Sequence, residues 1–98
     1  MIHYLAFVED EGPDYAIGVW FPDLPGCTSA GDTVEEAMAN AQDAIALYLE
    51  DFPEEGRPYP AARTVAEIRN DPEYAEDLGR YMIALIPFDP PSRRVAAE

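Results

Sequence analysis

Lysine is absent from this sequence, histidine and cysteine occur once each, and the six basic residues are all arginine. Against them stand 20 Asp and Glu residues, for a formal net charge of -14. Phosphate neutralisation needs clustered cations, so this balance argues against nucleic-acid binding by the chain alone. A lone Cys27 excludes an intrachain disulfide and any structural zinc site built on several thiolates, which fits a reducing, cytoplasmic setting. Its acidic neighbourhood would raise a thiol pKa, so Cys27 reads as a small packing residue. His3 is the sole residue on which a Ser/His/Asp or Cys/His constellation could draw, and it reads as part of a strand. No run approaches the roughly 20 apolar residues of a membrane span. The N-terminal "MIHYLAFVED" also lacks the basic region, long apolar stretch and cleavage site of a signal peptide. With 98 residues there is room for one small domain and none for a large enclosed active site.

The pattern that remains is mixed α and β. "IHYLAFV" is apolar at nearly every position, as a central strand buried on both faces would be. "DEGPD" is a turn, and "YAIGVWF" alternates as a second strand returning antiparallel, with Gly18 free to admit a close neighbour. Cys27 to Ala30 allows a short third strand. "GDTVEEAMANAQDAIALYLED" then places Val34, Ala37, Met38, Ala41, Ile45, Tyr48 and Leu49 on one helical face, behind a Thr33/Glu36 capping-box pattern, with Pro53 as the stop. "PEEGRPYPAA" is a connection, "TVAEIRND" and "PEYAEDLG" make short helical turns, and "RYMIALIPF" is a last strand, entered most simply by a right-handed crossover. The expected fold is α+β, in the order β-β-β-α-β. It is a single mostly antiparallel sheet with one main helix on one face, spanning residues 1–89, with 90–98 as a tail or the start of a linker.

That order of elements matches the beginning of ribonuclease H, which raises the question of Mg²⁺-dependent phosphoryl chemistry. Such chemistry needs several acids at one point. "HYLAFV" has no interior carboxylate; Glu9 and Asp10 come at the end of the first strand and Asp89 follows the last. The expectation is no catalytic residue, no metal and no cofactor.

"GVWFPDLPGCTSAGDTVEEAMANAQDAIALYLE" resembles the HicB antitoxin family, through a strand ending in phenylalanine, a "PDLPGC" turn, and "GDT" leading into an "EEA…A…AI…YL" helix. "PYPAARTVAEIRNDPEY" and "MIALIPFD" extend the likeness more loosely over nearly the whole chain. The resemblance implies a partial ribonuclease H fold without nuclease activity, binding and blocking a small basic messenger-RNA-cleaving toxin of the HicA type. Fuller relatives continue past "IPFDPPSRRV" into a DNA-binding segment, which "PSRRVAAE" is too short to supply. The stiff, apolar corner and the acidic helix start place the expected toxin contact at Phe21, Pro22, Asp23, Leu24, Glu35 and Glu36, with Asp23 reaching outward. A single helix on one sheet face leaves the other face or an edge strand in need of cover, which predicts a homo-oligomer, dimer or higher, with Trp20 and Tyr4 as parts of such a surface. The rival readings are a ribonuclease-H-like nuclease and an acidic regulatory module with no toxin partner.

Overall fold

The apolar run of β1 (Ile2–Glu9) sits where such a run must, flanked by strands on both sides and covered on both faces. The computed structural model describes residues 1–91; the expected tail thus lies almost wholly outside the described residues. β2 (Ile17–Trp20) pairs antiparallel with β1, Phe7 opposite Trp20, and β3 (Thr28–Gly31) pairs antiparallel with β2. The last strand, β4 (Met82–Phe88), lies on the other side of β1, Leu5 opposite Leu85, in the order β3-β2-β1-β4. The sheet is antiparallel throughout. The right-handed crossover expected into the last strand therefore does not arise, because that rule governs parallel strands and β4 runs against β1.

The long helix α1 (Val34–Tyr48) begins at Thr33, whose Oγ1 accepts from the Glu36 N–H at 3.0 Å. Glu36 reaches back one residue further than a capping box would, accepting from the Asp32 N–H at 2.6 Å. Ala37, Ala41 and Ile45 face the sheet, and Leu49 and Phe52 continue that core beyond the helix. Two boundary expectations shift. Val34, read as core, is exposed, and the helix ends at Tyr48, four residues before Phe52 and well short of Pro53. The small alanine face lets α1 approach β3 so closely that a Cβ on Gly31 would stand 2.5 Å from the Ala37 nitrogen. Gly31, not Gly18, is the glycine that permits close approach, since nothing lies within 4 Å of a Cβ on Gly18.

The second face of the sheet is also covered. Helix α2 (Val65–Arg69), held by a complete Thr64/Glu67 capping box, and α3 (Ala75–Leu78) pack there. Buried Leu5, Phe7 and Ile68 form a second core with Trp20, Val65, Tyr74, Leu78 and Tyr81 around them. Trp20 meets Tyr81 edge-on at 4.7 Å and Phe7 at 5.8 Å between ring centroids. The bare face on which self-association through Trp20 and Tyr4 was expected does not exist: Trp20 belongs to this second core, and Tyr4 is wholly buried in the first, donating its hydroxyl to the Pro60 carbonyl at 2.8 Å.

Candidate functional site

The corner "FPDLPGC" is built from two successive turns. The Leu24 N–H donates to the Phe21 carbonyl at 3.4 Å and the Cys27 N–H to the Leu24 carbonyl at 3.0 Å. Pro25 followed by Gly26 at φ +86° is the residue pair that the second turn requires, since only glycine adopts that backbone without strain. Phe21, Pro22 and Leu24 are thereby turned into the protein, Phe21 and Leu24 in the core beneath α1. Tyr48 on α1 fastens the corner from above by donating to the Pro25 carbonyl at 2.8 Å. Cys27 is buried, and burial pushes its thiol pKa up, which makes it an inert packing residue.

Asp23 does not reach outward. Its side chain is 6% exposed and is held bidentately by Arg63, with Nε to Oδ1 at 2.7 Å and the backbone N–H to Oδ2 at 2.8 Å. The same guanidinium donates from NH1 to Asp71 at 2.9 Å. Asp71 is held below the ordinary aspartate range, chiefly by that hydrogen bond, and Arg63 is pushed above its already high value by its two carboxylates, Asp71 first. A planar fork between two acids suits arginine specifically. The trio ties the corner to the start of α2, and Tyr4 ties β1 to the same connection. Within the folded chain, four of the six expected contact residues thus have interior or internally paired roles. The other two, Glu35 and Glu36, are exposed, and Glu36 is partly engaged by the Asp32 N–H.

The outward face of α1 is the surface that remains. Glu36, Asp43 and Glu50 follow one another at intervals of seven residues, two helical turns, so they line one side of α1 and its continuation, with Glu35 and Asp32 at the head. No basic residue interrupts the helix. Amid these acids Leu47 stands 73% exposed. Beside it opens an apolar depression of about 410 Å³, lined by Leu47, Leu49, Glu50, Tyr59, Phe88 and Asp89 among others. The aromatic floor is packed ring on ring: Tyr59 meets Phe88 edge-on at 5.1 Å and stacks on Phe52 at 6.4 Å between centroids. Sequence reasoning placed the acids on the polar face of this helix but missed Leu47, whose only signal was an apolar residue out of phase with the core face.

The acids that would have to serve a nuclease are apart. Antiparallel pairing sets Phe88 opposite Ile2, so Asp89 lies beyond the far end of β1 from Glu9, about 26 Å along the strand at the usual rise per residue. Among the described residues no three His, Cys, Asp or Glu side chains are grouped to hold a metal ion, and no helix is long and apolar enough to cross a membrane.

Residues 4–96 match a family model described as the HicB-like antitoxin of bacterial toxin-antitoxin systems. Antitoxin HicB 2 of Photorhabdus laumondii is 38% identical over 60 residues, which are 61% of this chain and 43% of that protein. The chain spans about half the length of the curated relatives it matches. Among solved structures, a chain of the HicA3 and HicB3 toxin-antitoxin complex is similar with a TM-score of 0.66 at 27% identity, over 91% of this chain and 100% of that one. The N-terminal domain of the Burkholderia pseudomallei antitoxin HicB gives 0.67 at 30% identity, over 91% of this chain and again 100% of the other.

Proposed function

This chain belongs to the HicB-like antitoxin family, and on that premise we propose that it neutralises a small, basic, HicA-type messenger-RNA-cleaving toxin by stoichiometric binding that masks the toxin's active site, without catalysis of its own. The observation that carries the reading is the outer face of α1: an acidic row, on a helix that carries no basic residue, bordering an apolar depression. A lysine or arginine from the toxin can lay its aliphatic stem on the floor formed by Leu49, Tyr59 and Phe88 and present its charge to Glu50. Glu35, Asp43 and the rest of the row draw a cationic partner in from a distance, while Leu47 and the depression supply the desolvated centre that slows its escape. In this reading the corner residues Phe21, Pro22, Asp23 and Leu24 shape the sheet end and the α1 seat; they do not touch the toxin.

Co-expression with a neighbouring gene for a small basic protein, followed by surface plasmon resonance, tests this. The association rate should fall steeply with salt, and about tenfold in Glu35→Lys combined with Asp43→Lys, neither of which caps or pairs among the described residues. Leu47→Lys should instead speed dissociation, again by about tenfold. Failure to form a complex with any such neighbour would remove the antitoxin reading, and a complex indifferent to both variants would move the contact off α1.

A further inference from the structure

The aromatic rings beneath the depression beside α1 belong to a stack that already carries one cation. Arg57 lays its guanidinium over Phe52, with the central carbon 3.8 Å from the ring centroid, and donates to Glu55 at 2.9 Å. Phe52 stacks on Tyr59 with 19° between the ring planes, and Tyr59 is the next ring along, lining the depression. Two exposed carboxylates from different elements border it, Glu50 just past the end of α1 and Asp89 just past the end of β4. Among the described residues neither of them takes part in an ion pair, and no basic side chain lines the depression. The same combination of one ring and two acids occurs at Arg63, whose fork holds Asp23 and Asp71 while its central carbon lies 5.8 Å from the Tyr74 ring centroid. There the chain supplies the guanidinium itself.

We propose that the depression is an arginine subsite: it takes an arginine side chain of the basic partner, in preference to a lysine, with the guanidinium on the Tyr59 ring and its fork directed at Glu50 and Asp89. The proposal rests on the reading of the outer face of α1 as the toxin-binding surface, and it adds a chemical choice that the surface charge does not make. The acidic row draws lysine and arginine alike, because a charge felt from a distance has no shape. Discrimination begins where the cation gives up its water. A guanidinium is flat, weakly hydrated and suited to an aromatic face, and its donors lie in one plane from which two acids can be met at once. An ammonium is compact and strongly hydrated, and an apolar floor strips water from it without offering it a matching shape. Leu49 and Phe88 carry an aliphatic stem of either kind, so the stem does not decide. Tyr59 is therefore the residue that sets the preference, with Glu50 and Asp89 as its charge partners.

The whole chain, isotope-labelled, is titrated by NMR with N-acetyl-arginine methylamide and, at equal ionic strength, with N-acetyl-lysine methylamide. The arginine probe should bind in the millimolar range and shift the resonances of Tyr59, Phe88 and Glu50, and the lysine probe should bind roughly fivefold more weakly. Tyr59→Phe keeps the ring and should keep the preference. Tyr59→Leu keeps an apolar floor without the ring, and should bring the two probes to within roughly twofold of each other. Glu50→Gln combined with Asp89→Asn, at two exposed positions, should weaken the arginine probe by roughly fivefold or more and leave the rest of the spectrum in place. No saturable shift in the wild type, shifts centred away from the depression, equal binding of the two probes, or a preference that survives Tyr59→Leu would each overturn the arginine subsite. No toxin is needed for these measurements, so the two readings fail separately. A chain that binds a toxin but shows no preference for arginine loses the subsite alone, and one that prefers arginine but binds no neighbouring basic protein loses the toxin as its source.

Discussion

Asp23 stands in the sequence as a lone charge in an apolar turn, and a lone charge in a turn ordinarily faces water. Its partner is forty residues away, so no local pattern announces the pair. The fold closes the connection before α2 over the corner, and the carboxylate becomes the acceptor for both the Arg63 guanidinium and the Arg63 backbone N–H. Asp23→Ala would leave that N–H and part of a half-buried cation without an acceptor. Unfolding in urea should show a loss of about 1–3 kcal/mol, with the lower part of that range reflecting solvent access to Arg63. Asp23→Asn, which keeps an acceptor but loses the charge, should recover part of it. An unchanged midpoint in Asp23→Ala would return this carboxylate to the list of partner contacts.

Elements were more legible than residues, because each carries its own periodic or capping signal. The helical spacing of Ala37, Ala41 and Ile45 marks the buried face of α1 without reference to anything else in the chain, and Thr64 with Glu67 marks the start of α2. The distance between elements is not marked in the same way. Gly31 and Gly18 both lie in strand-like segments, and only the descent of α1 onto β3 decides which one needs to lack a side chain. Gly31→Ala would set a methyl group against the backbone of Glu36 and Ala37, with contacts of 2.5 to 2.9 Å that no rotamer change can relieve. The expected cost is about 3 kcal/mol or more, read as a lowered thermal midpoint, while Gly18→Ala should be close to neutral. Equal effects at the two sites would contradict the close seating of α1.

Over the whole molecule the excess of acid works against compactness. Like charges spread over a body of this size repel one another, and at physiological ionic strength screening reaches only about 8 Å. The protein should therefore gain thermal stability as sodium chloride is raised, by several degrees. A change of about 1 kcal/mol moves the midpoint of a domain of this size by roughly 4–8 °C. A midpoint that falls with salt would mean that the Arg63 trio and the surface pairs outweigh the general repulsion.

Composition and pattern by themselves determined that the chain is acidic and α+β, which strands and helices it forms, and which family it resembles. Those properties depend on residue type and on spacing along the chain, and both are present in the letters. Three matters were settled only by tertiary structure: that α2 and α3 cover the second face of the sheet, that Phe21, Leu24 and Asp23 are spent inside the fold, and that Leu47 and the β4 edge are left outside it. Each depends on which segments far apart in sequence come to lie against each other. A buried and an exposed apolar residue look alike until the surface that covers one of them has arrived.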